Sequence, residues 1–271
     1  VQGIVESAAG SVEPSEREFD AFLPKLGVRY ALTEDVSAGF VVQRGYRSGG
    51  SSGNLARGGQ VFPYDPEYTW NYEASLRSTW LDGALTVNAN AYYVDWTDQQ
   101  VLVRFGLNEF DYHTVNAGKS HLYGFEIETA WQATEDLDLY ASLGHGKTEF
   151  DDFQVDVDTP SDLSGQEFVF APAITLSGGG TYRWANGFSV NLNANYRSKV
   201  YTEVGELQSI SRVDGRTLVN AKAGYETDRW GAFVYAHNLL DEEYASYVRQ
   251  GYGTAVLGDP RVIGVMLQGD W

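Results

Sequence analysis

Apolar and polar side chains alternate with a period of two through most of this chain. In the final segment Ile263, Val265, Leu267, Gly269 and Trp271 fall on one face, with Gln268 and Asp270 on the other. Such a run is a β-strand with one apolar and one wetted side. Phe188, Val190, Leu192, Ala194 and Tyr196 likewise oppose Ser189, Asn191, Asn193 and Asn195. The preceding segment sets Ile174, Leu176, Tyr182 and Trp184 against Thr175, Ser177, Thr181 and Arg183. Asn186-Gly187 between them is a tight-hairpin signal.

The same unit recurs upstream. Tyr72, Ala74, Leu76 and Trp80 oppose Glu73, Ser75, Arg77 and Thr79, and Leu85, Val87, Ala89 and Ala91 oppose Thr86, Asn88 and Asn90. Further pairs turn at Thr33-Glu34-Asp35, Thr134-Glu135-Asp136 and Thr227-Asp228-Arg229. Short connections, near 33–35, 81–83, 133–136, 185–187 and 227–229, alternate with long ones over about 47–69, 97–118, 148–170, 199–216 and 239–260. Short turns at one end and long loops at the other predict an all-β, antiparallel transmembrane barrel, with periplasmic turns and extracellular loops. Trp80, Trp131, Trp184 and Trp230 sit beside the short turns, where an interfacial aromatic girdle would lie.

The apolar rows named above carry no Asp, Glu, Lys or Arg, whereas Arg29, Glu73, Arg77, Glu126, Glu128, Arg183 and Lys222 fall on the polar rows. Lipid outside and water inside suit that division; a packed soluble core would not hold those charges unpaired. Two other readings compete. A passive porin-type channel predicts an even-stranded barrel complete in one chain. A soluble carbohydrate-binding sandwich predicts that Phe188, Val190 and Leu192 are buried in protein.

Composition narrows the classes. The 271 residues contain no cysteine, which excludes disulfides and thiolate metal sites. A net charge of −18 opposes nucleic acid as a partner, since phosphate binding requires Lys and Arg. No apolar run approaches the roughly 20 residues of a membrane-spanning helix. About eleven strands are complete here, and residues 1–8 read as the tail of another. An odd, open set would leave bare edges in lipid. The expectation is therefore a C-terminal barrel portion over 1–271, without signal peptide or plug, whose remaining strands lie in a preceding N-terminal part.

Several segments carry a family resemblance. Asn238-Leu239-Leu240-Asp241-Glu242-Glu243-Tyr244 is similar to the Asn-Leu-Phe-Asp-x-x-Tyr element of TonB-dependent outer-membrane receptors. The closing strand from Pro260-Arg261 to the terminal aromatic Trp271 resembles theirs. So do Phe22-Leu23-Pro24-Lys25, Arg44-Gly45-Tyr46-Arg47, Pro66-Glu67 with Asn71-Tyr72-Glu73, and Asn116-Ala117-Gly118 with Gly124-Phe125-Glu126, in the same order. The resemblance implies about half of a 22-strand barrel closed by an N-terminal plug. It also implies uptake of a scarce nutrient, most simply a ferric siderophore or similar metal chelate, driven by the inner-membrane TonB complex through the plug. The implied surroundings are outer-membrane lipid and lipopolysaccharide, and Trp271 would be read by the barrel-assembly machinery. No enzyme activity and no cofactor are implied.

Candidate sites are few. Arg44, Tyr46 and Arg47 at a strand top, with Arg104 and Tyr112 in the next long connection, suit an anionic ferric chelate, as loop or lumen contacts, by charge and stacking; ordinary loop roles are the plainer account of each. Asn238, Leu239, Asp241, Tyr244 and Arg261 read as a structural turn at the rim. Glu126 and Glu128 share a face but lack a partner nucleophile, so lumen lining is the simpler reading. His113, His121, His145 and His237 show no metal-ligand spacing. Gly178-Gly179-Gly180 sits inside a strand without the Lys-Ser/Thr of a phosphate loop, which points to close strand packing. The acidic run 151–158 has the oxygen chemistry for Ca²⁺, although such runs are ordinarily solvated surface.

Overall fold

The computed structural model describes residues 18–105, 110–155, 160–205, 207–249 and 253–269. Its frame is one antiparallel sheet of eleven strands, each paired with its neighbours in chain order. They are β1 (Lys25–Ala31), β2 (Val36–Arg47), β3 (Glu67–Trp80), β4 (Leu85–Arg104), β5 (Tyr112–Gln132), β6 (Leu137–Asp152), β7 (Ile174–Arg183), β8 (Phe188–Arg197), β9 (Arg216–Glu226), β10 (Trp230–His237) and β11 (Val262–Gly269). The expected tail over residues 1–8 lies outside the described residues. No helix among the described residues is long and apolar enough to cross a membrane.

The short connections fold as their residue types predict. In three of them a Thr hydroxyl caps the turn: Thr33 Oγ1 accepts from the Asp35 and Val36 amides, Thr134 Oγ1 from Asp136, and Thr227 Oγ1 from Arg229 and Trp230. The β3–β4 turn has four residues between the paired Trp80 and Leu85 and runs through left-handed Leu81, Asp82 and Gly83, closed by the Gly83 amide on the Trp80 carbonyl and the Ala84 amide on the Leu81 carbonyl. In the β7–β8 turn Gly187 takes φ +92°.

Register converts alternation into two faces. One unbroken outer row crosses the sheet from Tyr30 through Ala38, Leu76, Ala89, Ile127, Leu143 and Leu176 to Tyr196. Leu192 is 53% exposed and Ile127 36%, and Phe188 and Val190 are also exposed. The soluble-sandwich reading needed these side chains sealed in protein. Trp80, Trp131, Trp184 and Trp230 are all exposed at the short-turn end, completing a girdle.

Glycines on the inner face make room for aromatic rings. A Cβ on Gly264 would come within 2.4 Å of the Tyr235 ring. One on Gly179 would lie 2.7 Å from the Leu192 carbonyl oxygen and 2.8 Å from Tyr140 Oη. The Gly178–Gly180 run is therefore a close-packing device, as its position in a strand suggests.

The long connections differ from the sequence expectation. Strand continues to Arg104 and resumes at Tyr112, so most of the 97–118 stretch is hairpin; β4 has 20 residues and β5 21. A spanning strand needs only about 9–11 residues, and the excess projects as a head. Small hairpins at Gly50–Asn54 with Gln60–Tyr64 and at Ala245–Arg249 with Thr254–Leu257 add to it. Its core is that of a water-soluble domain: Val101, Val103, Phe105, Ala117, Phe150, Phe153, Val155, Leu163 and Val204 are buried together.

Candidate functional site

The inner wall opposes the apolar row with a polar one. Arg29, Gly39, Ser75, Asn90, Glu126, Gly144, Thr175, Arg197 and Arg216 are successive cross-strand neighbours, one step from the outer row on every strand. Below it, Asn191, Asn193, Asn195 and Asn220 form a chain of side-chain amides: Asn193 Nδ2 donates to Asn191 Oδ1 at 3.1 Å, and Asn220 Nδ2 to Asn193 Oδ1 at 2.9 Å. Lys222 lies over the Phe233 ring at 3.9 Å. Arg183 pairs with Asp138, and Arg29 donates to Ser37 Oγ. The wall thus combines a chain of side-chain amides with charged groups such as Glu126, Lys222 and the Arg183–Asp138 pair, a surface that water and a polar solute can wet.

In the head, a buried carboxylate gathers residues far apart in sequence. Glu203 Oε2 accepts from Ser211 Oγ at 2.6 Å and Oε1 from Tyr112 Oη at 3.2 Å. Arg104 Nη1 and Arg249 Nε stand 3.8 Å and 4.0 Å from Oε1. Burial, and then the Glu203 charge, push the Tyr112 phenol above its ordinary pKa, so it stays neutral and donates. A second cluster joins Asn54, Arg57, Asp111 and His113, with the His113 ring stacked between Phe62 at 3.9 Å and Phe105 at 4.0 Å.

The sequence candidates distribute unevenly over this frame. Arg104 and Tyr112 are brought together, but around Glu203 in the head interior rather than facing an open loop surface. Arg47 meets Glu67, Nε to Oε1 at 2.9 Å, at the top of the inner wall. Arg44 and Tyr46 were expected in loop or lumen; the register sets them instead on the outer face, in line with Phe40 and Val42. There the Arg44 guanidinium lies 4.5 Å over the Tyr68 ring, and Tyr46 tilts against the same ring at 5.4 Å. The parity of a regular strand carries them outward, with no bulge to turn them in.

The Asn238–Tyr244 element closes a turn. Asn238 Oδ1 accepts from the Glu242 amide at 2.9 Å, and its Nδ2 donates to the Glu242 and Asp259 carbonyls. The Leu239 amide reaches Val219 O at 2.7 Å. Asp241 takes left-handed φ and pairs with Arg261 at 3.2 Å. Tyr244 lies over Gly258 on one side and carries the Arg216 guanidinium at 3.9 Å on the other. Trp271 lies outside the described residues. In the acidic run, Asp151 is engaged with His121 at 2.8 Å, positions 156–158 are outside the described residues, and no group of three metal-ligating side chains occurs among the described residues.

Residues missing from the sequence candidates include Glu203 and, in the second cluster, Asn54, Arg57 and Asp111, together with Arg197 and Arg216 on the inner row. Arg197 was within reach, since it continues the inner row Ser189, Asn191, Asn193, Asn195 by one step. Glu203 lies in a connection without periodicity, and nothing local marks it.

Comparison with known proteins decides the family. The model described as "TonB dependent receptor-like, beta-barrel" matches residues 5–239. The chain belongs to this TonB-dependent receptor family. Among solved structures, it is similar to the ferric yersiniabactin uptake receptor FyuA from Yersinia pestis, with a TM-score of 0.75 and 21% identity over 92% of this chain and 37% of that one. The pyoverdine outer membrane receptor FpvA from Pseudomonas aeruginosa matches with a TM-score of 0.71 and 19% identity, over 96% of this chain and 38% of FpvA. The ferric-catecholate import receptor Fiu from E. coli K12 matches with 0.69 and 18%, over 97% and 37%. At these identities the likeness is one of fold. The chain spans little more than a third of the length of these TonB-dependent receptors.

Proposed function

We propose that this chain is the C-terminal portion of an outer-membrane receptor that takes up a metal chelate, most simply a ferric siderophore, with energy from the TonB complex. The observation that carries the reading is the pairing of a continuous apolar outer row with a polar inner row across the sheet, beneath a folded extracellular head. The three receptors above are named for ferric yersiniabactin, pyoverdine and ferric-catecholate ligands, which directs the choice of substrate class. In this reading the sheet is about half of a 22-strand wall, surrounded by lipid and lipopolysaccharide, and the rest of the wall and a plug come from the N-terminal part of the receptor. TonB acts through the plug, and Trp271 addresses the barrel to its assembly machinery.

The chemistry is capture and passage; no bond is made or broken. The head closes over the wall and the inner row offers hydrogen bonds to a hydrated solute. Arg104 and Tyr112 act in this scheme by fixing the head through Glu203, and Arg47 and Glu67 form its rim. Arg44 and Tyr46 point away from the lumen and are assigned no ligand contact.

Uptake of ⁵⁵Fe chelates by iron-starved cells, with and without the gene for the full-length receptor, tests the proposal. Loss of uptake of one chelate class on deletion, and equal loss on collapsing the proton-motive force, is the expected result. Uptake that survives collapse of the force identifies a passive channel and overturns it.

A further inference from the structure

Two arginines stand side by side on the inner wall with no carboxylate between them. Arg197, the last residue of β8, is the direct cross-strand partner of Arg216, the first residue of β9. Both lie on the inner row, at the end of the wall remote from the short turns. Like charges directly opposite one another destabilise a sheet, so the arrangement has a cost that its neighbours avoid. Arg47 has Glu67, Arg183 has Asp138, Arg77 donates to the Leu76 and Ala89 carbonyls, and Arg29 donates to Ser37.

Arg197 has no such partner among the described residues. Its Nε and Nη2 are shielded from solvent and meet no acceptor among the described residues. Its other cross-strand neighbour is Thr175, and beyond that Gly144 separates it from Glu126. Arg216 gives one hydrogen bond to the Ala245 carbonyl, at 3.4 Å, and rests on the Tyr244 ring, which orients the guanidinium without neutralising it. A guanidinium with two shielded nitrogens that meet no acceptor, beside an oriented second one, is complementary to an oxyanion, which two forked cations bind at several points.

We propose that Arg197 and Arg216 form an oxyanion subsite at the extracellular end of the inner wall. The oxyanion is a carboxylate or comparable anionic oxygen. It comes either from the transported chelate or from a carboxylate elsewhere in the whole receptor. The first source rests on the uptake reading above; the second does not.

The test uses purified full-length receptor, as wild type, R197Q, R216Q and the double variant, with R197K as the conservative control. Binding is titrated with a trianionic ferric tris-catecholate and a neutral ferric trihydroxamate. In parallel, phenylglyoxal modification of Arg197 and Arg216 is followed by peptide mass spectrometry, with and without each probe. If the chelate supplies the oxyanion, the double variant weakens the anionic probe roughly tenfold or more, spares the neutral one, and the probe protects both arginines. If the receptor supplies it, both arginines are protected without any probe and become reactive after mild denaturation. Protection in the absence of binding by either chelate upholds the subsite for these probes while counting against the uptake reading. Arginines that react freely in every condition, with binding unchanged in the double variant, overturn the proposal.

Discussion

Arg57 and Asp111 meet in a two-point ion pair, Nε to Oδ1 at 2.9 Å and Nη2 to Oδ2 at 3.0 Å, across 54 positions of sequence. Asn54 Nδ2 adds a third hydrogen bond at 2.6 Å. Together they tie the Gly50–Tyr64 hairpin to the start of β5.

Acid should loosen that tie. Burial raises the Asp111 pKa, but the hydrogen bonds from Arg57 and Asn54 and the charge of Arg57 outweigh it, leaving the carboxyl below its ordinary value. A carboxyl depressed in the folded state stabilises fully above its unfolded pKa, about 3.9. That stabilisation is lost as pH falls through the depressed folded value. Protection factors of the amides over 50–64, taken relative to intrinsic exchange at each pH, should therefore be flat from neutral pH down to about 4 and should fall below it. The Asp111→Asn receptor should exchange faster at neutral pH and lose that acid step; an unchanged step in the variant refutes the assignment.

Removing the Glu203 charge should be severe. Arg104 and Arg249 both approach that carboxylate, and deleting one partner of a buried ionic group leaves the others uncompensated, at about 3–5 kcal/mol. Glu203→Gln keeps the shape and removes the charge. Limited proteolysis should then cut the head while the wall strands stay protected. A head as resistant as wild type would show that Ser211 and Tyr112 alone hold it.

The glycine–aromatic contacts predict a rescue. Gly264→Ala places a methyl against the Tyr235 ring and should cost about 1–3 kcal/mol, read as a lower melting temperature in detergent. The atoms nearest that methyl all belong to Tyr235. In a Tyr235→Ala background the same change should be nearly neutral, and a full cost there would locate the strain in the backbone instead.

Much of this arrangement was legible because barrel alternation is strict. Strand parity alone orders Leu192 outward and Asn193 inward, and residue type alone marks Thr33, Thr134, Asn186-Gly187 and Thr227 as turn positions. Parity also placed Arg44 with Phe40 and Val42, so a ligand role for it conflicted with its own strand. The head was opaque for a different reason. There the chain is packed on several sides, Val101 and Val103 are buried by loop residues, and left-handed Asp98 interrupts the extended run. Glu203 finds Tyr112, Arg104 and Arg249 only after three connections have folded together, a relation with no spacing to read.

The division into two faces makes the sharpest prediction. Leu192 lies in the middle of β8 on the outer row, and Asn193 beside it points to the amide chain within. Arginine at a lipid-facing midplane position costs about 2–4 kcal/mol, falling toward the interfaces. Leu192→Arg should therefore reduce the folded, heat-modifiable fraction of the full-length receptor refolded into lipid vesicles. Asn193→Arg, one residue away but within a wetted wall, should fold nearly as well as wild type. If the two substitutions exchange these outcomes, the apolar row faces inward, and the receptor reading built on it is lost.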